Sequence, residues 1–134
     1  MLVVLDASVA LRVALESEGF SLLSGHQLAA PGLLRYEVLS ALHAALWRGQ
    51  VTRQLADIAS SRLAKAPIEY TTDARVLERA WGVAEERGWA KLYDACYIAL
   101  AALRRCPLVS ADERLLRGVR GAVETLTPAQ LVGA

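Results

Sequence analysis

Four acidic residues have the types and positions for chemistry. Asp6 follows the apolar run Leu2-Val3-Val4-Leu5, and Asp112 follows Leu108-Val109-Ser110. Asp94 opens an almost uncharged stretch running to Leu103, and Glu37 edges the helical segment after Pro31. Two of the four sit at the carboxyl ends of expected buried strands, where a parallel sheet gathers its ligand site. Carboxylates crowded in one cleft repel, so some stay protonated unless a cation neutralises them. An all-oxygen donor set with no ligand-spaced His or Cys suits a hard ion, Mg²⁺ or Mn²⁺. Such an ion in such a cleft favours phosphodiester hydrolysis, because it activates water and offsets charge on the phosphate and the leaving oxygen. The ordinary readings stand beside this one: Asp6 as a turn or capping residue, Asp94 as a helix cap or structural salt bridge, Glu37 as a boundary glutamate.

The elements that must position these acids can be read from patterning. Residues 2–5 form an uninterrupted apolar run, as in a strand buried on both faces. A helix is expected over 9–15, with Ser8 placed to cap it. A short helix over 18–25 and a strand over 27–30 follow, and Pro31-Gly32 breaks the chain. The next helix spans 33–47, with Leu34, Val38, Ala41, Leu42 and Ala45 as its apolar stripe. Thr52 caps a helix over 53–65 that turns Leu55, Ile58, Ala59 and Leu63 inward. Residues 67–71 read as a strand. Thr72 or Asp73 caps a helix through Val76, Leu77, Ala80, Trp81 and Ala84 that ends at Gly88. The stretch 92–103 is apolar on every side, which marks a central buried helix. A strand over 107–110, a short helix with Leu115 and Leu116, a strand over 122–126 and a last turn over 128–131 capped by Thr127 complete the order. Alternating strands and helices of this kind argue an α/β fold of three layers, α/β/α, with a short central parallel sheet flanked by helices. Residues 1–134 show no linker, repeat or low-complexity segment and are expected to form a single domain.

Composition bounds the function classes. The chain has 134 residues, is 54% hydrophobic and carries a formal net charge of +1, so it is globular and has no global basic field. Lys65 and Lys91 are the only lysines among 15 basic residues, an arginine bias that fits a GC-rich genome better than dedicated phosphate recognition. Cys96 and Cys106 make neither a disulfide framework nor a zinc site by themselves. His26 and His43 have no ligand-spaced partner. No run approaches a membrane span, and residues 1–5 lack the features of a secretory signal, so a cytoplasmic protein is expected.

Four pieces, in order and at family-like spacing, resemble the PIN domain, and specifically the VapC ribonuclease toxins of bacterial and archaeal toxin–antitoxin pairs. They are Val4-Leu5-Asp6-Ala7-Ser8-Val9, Pro31-Gly32-Leu33-Leu34-Arg35-Tyr36-Glu37-Val38, Tyr93-Asp94-Ala95-Cys96-Tyr97-Ile98-Ala99-Leu100-Ala101 and Leu108-Val109-Ser110-Ala111-Asp112-Glu113-Arg114-Leu115. The resemblance implies a Mg²⁺-dependent (or Mn²⁺-dependent) endoribonuclease that leaves a 3′-hydroxyl and a 5′-phosphate. Asp6, Glu37, Asp94 and Asp112 would form the acidic pocket, Asp6 and Asp94 as direct metal ligands and the other two directly or through water. Ser8 matches a supporting hydroxyl, and Ser110 stands where the family usually has threonine. The partners implied are an RNA substrate, a VapB-like antitoxin whose tail sends a basic side chain towards the acids, and a second copy in a homodimer. Trp47, Trp81 and Trp89 are candidates for those protein faces, though ordinary core or surface packing is the favoured account of them. Arg12, Arg35 and Lys91 lie closest in sequence to the acids and are the first candidates for RNA contact.

Two other classes compete. A PIN-like scaffold without catalysis would be an RNA-binding or protein-interaction module; the intact acids argue against it. A phosphotransferase or receiver domain would need a second acid near Asp6, and position 8 is Ser8.

Overall fold

The computed structural model describes residues 1–119 and 121–132. Five strands form one sheet: β1 (Leu2–Leu5), β2 (Gln27–Pro31), β3 (Ile68–Thr71), β4 (Leu108–Val109) and β5 (Thr125–Leu126). Their spatial order is β3-β2-β1-β4-β5, and every pairing is parallel. The α-helices are α1 (Ala7–Leu15), α2 (Leu33–Trp47), α3 (Arg53–Ala64), α4 (Ala74–Arg87), α5 (Tyr93–Arg104), α6 (Glu113–Val119) and α7 (Pro128–Val132), with a 3₁₀ turn over Gly19–Leu23. This is the expected α/β architecture, a five-stranded parallel sheet flanked by helices. No helix among the described residues is long and apolar enough to cross a membrane.

β1 is central because its residues tolerate burial on both faces: Val3, Val4 and Leu5 are fully inaccessible. It pairs with β2 through Val4↔Ala29 and with β4 through Val4↔Leu108 and Leu5↔Val109. The chain runs outward from β1 to β2 and β3, then crosses back to β4 on the other side. That reversal makes the gap between the carboxyl ends of β1 and β4 the topological switch point, the place where open parallel sheets bind ligands. Both strands stop there because the next residues, Asp6 and Ser110, turn their side chains to hydrogen bonding.

α5 lies against β1, β2 and β4 and packs on α4. Ala95 to Ala101 are all buried, and three alanines in that run let the helix approach closely. Leu100 and Ile98 supply much of its apolar surface, and a buried leucine of this kind is worth roughly 2–5 kcal/mol against alanine. α4 presents Val76, Ala80 and Ala84 inward and ends at Gly88 in the left-handed conformation, φ 67°. The turn from Gly88 to Leu92 then carries Trp89 and Lys91 to the start of α5.

Some expectations need correction. Ser8 does not cap α1; Asp6 does, accepting from the Val9 N–H, and Ser8 lies within the helix. Asp94 is not a cap either. Leu92 occupies that position without a side-chain bond, and Asp94 falls in the first turn. Ile58 is 40% exposed and Leu77 62% exposed, because α3 and α4 bury narrower alanine-lined stripes than their apolar content suggests. Ala41 is likewise exposed, so α2 packs through Leu34, Val38 and Leu42. Strands β4 and β5 are shorter than the apolar runs that contain them.

Candidate active site

Asp6 is the inner residue of the site. It is 4% exposed, and both its oxygens are engaged. Oδ1 accepts from the Ser8 hydroxyl at 2.6 Å and from the Val9 N–H at 3.1 Å; Oδ2 accepts from the Ser110 hydroxyl at 2.7 Å. The two serines are tied in turn. Ser8 Oγ accepts from the Ala111 N–H at 3.0 Å, and Ser110 Oγ from the Asp112 N–H at 2.9 Å. The carboxyl ends of β1 and β4 are thereby laced together through two hydroxyls and one carboxylate. Burial raises the Asp6 pKa, the Ser8, Ser110 and Val9 hydrogen bonds draw it back, and the charge of Asp112 adds to the rise.

Asp112 begins the turn into α6. Its Oδ1 accepts from the N–H groups of Arg114 at 2.9 Å and Leu115 at 3.3 Å, as an N-terminal capping carboxylate does. Arg114 reaches back from the first turn of α6: its Nη2 donates to Asp94 Oδ2 at 3.2 Å and stands 3.7 Å from Asp112 Oδ2. Asp94 is raised mainly by burial, lowered by Arg114 and raised again by Asp112. Glu37, on α2, is held by the Tyr97 hydroxyl, which donates to its Oε1. Burial raises the Glu37 pKa, the Tyr97 bond lowers it, and Asp94 and Asp6 raise it further.

The four acids therefore feel one another. Asp6 is coupled to Asp112, Asp94 to Asp112, and Glu37 to both Asp94 and Asp6. They do not close into a cage: among the described residues no three His, Cys, Asp or Glu side chains are drawn together as a ready ion site. The donor set nonetheless suits a hydrated hard cation. A carboxylate offers about four lone-pair positions, and Asp6 uses three of them in the bonds above. Glu37 Oε2 and Asp94 Oδ1 have no hydrogen bond among the described residues, and Arg114 already places a positive group between two of the acids. An ion that keeps several waters needs only one or two such carboxylates directly.

Glu37 and Asp94 line a cavity of about 610 Å³ that opens beside them. Asp6 and Asp112 do not line it. Trp89, Lys91, Tyr93 and Arg114 form much of its wall.

Of the basic residues expected near the acids, only Lys91 reaches this cavity. Arg35 stacks on Tyr70 instead, with its guanidinium carbon 4.6 Å from the ring centroid. Arg12 is exposed in the last turn of α1 and makes no hydrogen bond to the acids. Two participants escaped the sequence reading. Tyr97 lies three residues after Asp94, a spacing that puts both on one helix face. Arg114 lies two residues after Asp112, and such a residue often reaches back to its capping acid. Trp47 and Trp81 are exposed, whereas Trp89 is half-buried.

Comparison with known proteins identifies the family and the fold. The family model for the PIN domain matches residues 3–120. A VapC ribonuclease of Mycobacterium bovis and the ribonuclease VapC9 of Mycobacterium tuberculosis are each 30% identical over 115 residues, covering 85% of this chain and 88% of theirs. The crystal structure of PAE2754 from Pyrobaculum aerophilum superposes with a TM-score of 0.76 at 26% identity, over 99% of this chain and 93% of that one. VapBC2 from Rickettsia felis, solved bound to a promoter DNA fragment, shares the fold at a TM-score of 0.64 and 11% identity, over 95% and 98% of the two chains. With the acids at the switch point of a parallel sheet and a family match over most of its length, the chain belongs to the PIN domain family and within it is VapC-like.

Proposed function

We propose that this protein is a divalent-metal-dependent endoribonuclease, the toxin of a VapBC-type pair, acting through Asp6, Glu37, Asp94 and Asp112. The observation that carries the reading is the gathering of the four acids on one side of the sheet: Ser110 ties Asp6 to the Asp112 N–H, Arg114 reaches both Asp112 and Asp94, and Asp94 and Glu37 line one cavity, in a chain similar to named ribonucleases. Mg²⁺, or Mn²⁺ in its place, would lower the pKa of a water and offset charge on the phosphate when bound. Asp6 and Asp94 would hold it, with Glu37 and Asp112 completing the set directly or through water.

The chain's own residues do the rest. Ser8 and Ser110 keep Asp6 in one orientation, so its free lone pair has a fixed direction. Tyr97 fixes Glu37 through Oε1 and leaves Oε2 to take the proton from the attacking water. The water oxygen bonds to phosphorus as the bond to the 3′ oxygen breaks. That oxygen leaves as a 3′-hydroxyl on taking a proton from solvent, to which Glu37 returns the one it took, and the phosphate remains on the 5′ side. Arg114 holds Asp94 through Oδ2 and leaves Oδ1 open, and from that position its guanidinium can face the substrate phosphate.

The partners follow from the same reading. Solved relatives of this fold include a toxin–antitoxin complex from Klebsiella pneumoniae, at a TM-score of 0.58. A VapB-like antitoxin, a homodimeric state, a single domain over 1–134 and a cytoplasmic location belong to the proposal. The test is cleavage of RNA with and without Mg²⁺ or Mn²⁺, alongside Asp6→Asn. Metal-dependent cleavage lost in the variant supports the reading. Equal cleavage by both proteins removes the support for the four-acid site and returns the chain to a non-catalytic RNA-binding or interaction module.

A further inference from the structure

We propose that the cavity beside Asp94 is a subsite for one unpaired nucleotide of the RNA, adjacent to the scissile phosphate. The proposal rests on the ribonuclease reading and names which part of the substrate the site recognises. The cavity, about 610 Å³, falls within the roughly 300–1,000 Å³ range of small-ligand pockets and is large enough for a nucleotide. Its wall joins two aromatic side chains, Trp89 and Tyr93, to two cations, Lys91 and Arg114, and it reaches Glu37 and Asp94 directly. That pairing matches an unpaired nucleotide: a base face for the rings and a phosphate for the cations. A base within a duplex keeps its faces covered by its stacked neighbours and offers nothing to the rings.

Trp89 is held in this wall by an independent device. A Cβ built on Gly118 would stand 2.6 Å from Trp89 Cζ2 and 3.2 Å from Cη2. The ring can lie against α6 only because position 118 is glycine. A glycine inside a helix costs about 1 kcal/mol against alanine, and the close approach of the indole accounts for its presence. Tyr93 is 56% exposed at the first position of α5, one residue before Asp94. A base resting against this aromatic wall would hold its own phosphate in the cavity that Glu37 and Asp94 also line. The continuity with Asp94 and the two cations favours RNA over a protein segment as the occupant.

The experiment uses the full chain with Trp47→Phe and Trp81→Phe, which leaves Trp89 as the sole indole. Its emission is titrated in EDTA with a short single-stranded RNA of mixed sequence and with the same sequence closed into a duplex. The expected result is saturable quenching by the single strand and at least tenfold weaker binding of the duplex. Tyr93→Ala and Gly118→Ala, each in that background, should weaken the single strand about tenfold, in line with the loss of one stacking contact. Asp6→Asn, at a residue outside the cavity wall, should abolish cleavage and keep the quenching. Cleavage without quenching, together with an unchanged KM in Tyr93→Ala, overturns the subsite and leaves the ribonuclease reading intact. Quenching without any metal-dependent cleavage overturns the ribonuclease reading and keeps an RNA site. Equal response to strand and duplex overturns the proposal.

Discussion

Ser110 Oγ donates to Asp6 Oδ2 at 2.7 Å, joining residues 104 positions apart across the gap between β4 and β1. The same hydroxyl accepts from the Asp112 N–H at 2.9 Å, so one fully buried serine sets both strand-end acids. Ser110→Ala is expected to lower stability by about 1–3 kcal/mol, since Asp6 and the Asp112 N–H both lose a partner. Ser110→Thr keeps the hydroxyl and should retain near-native cleavage. Urea denaturation and initial rates on the three proteins check this; an alanine variant as stable and active as the parent would refute it.

Burial and mutual repulsion raise the pKa values of Asp6, Glu37 and Asp94 above 3.8 for aspartate and 4.5 for glutamate. The folded protein therefore binds these protons more tightly than the unfolded chain. The stability it gains from them is present below the raised values and is lost as pH climbs through them. Without metal, melting temperature should fall as pH rises from the ordinary carboxylate values, 3.8 and 4.5, towards neutrality. Asp94→Asn should flatten that dependence, stay folded and abolish cleavage. Mg²⁺ at a hundred times its Kd would add about 2.7 kcal/mol at neutral pH, and less in acid. Thermal melts across pH, with and without Mg²⁺, measure all of these effects.

Arg114 Nη2 stands 3.2 Å from Asp94 Oδ2 and 3.7 Å from Asp112 Oδ2, where its charge would oppose a bound cation. Its guanidinium is largely exposed, so the ion pair itself contributes little, about 0–1 kcal/mol. Arg114→Ala should consequently leave the melting temperature within a few degrees of the parent and tighten Mg²⁺ or Mn²⁺ binding several-fold in calorimetry. RNA affinity should move the other way. Weaker metal binding in the variant would show that Arg114 organises the acids instead of blocking them.

Tyr97 holds Glu37, and the bond lowers the pKa of that acid. In Tyr97→Phe the lowering is lost and the Glu37 pKa rises. If Glu37 must be ionised to act, the acidic limb of the rate–pH profile moves to higher pH. The ring is buried and its shape is kept, so the fold should survive. An unshifted profile would remove Glu37 from the proton-transfer step.

Much of this protein was legible from its order of residues. A run such as Val3-Val4-Leu5 can only be a buried strand, and the stretch after Asp94 can only be a buried helix, because hydrophobic patterning is local information. Asp6 and Asp94 stood out for the same reason, each charged where the adjacent residues are not; Asp112 stood out by following a buried strand and Glu37 by edging an apolar helical stripe. The expectation that Ser8 caps α1 was wrong because Asp6 and Ser8 are both competent caps two residues apart. Only the strand pairing that brings Ser110 to Asp6 determines that the helix starts at Ala7, with Asp6 accepting from the Val9 N–H. Arg114 and Tyr97 were missed as partners of Asp94 and Glu37, and Arg35 was expected at the acids but stacks on Tyr70. Long side chains reach several ångströms, and their targets lie on elements distant in sequence. The residue types and the buried elements were thus determined by the sequence alone. Which acid faces which hydroxyl, which cation stands between which acids, and that Gly118 makes room for Trp89 beside Asp94 were decided by the crossing of the chain from β3 to β4, a long-range packing event that no local pattern encodes.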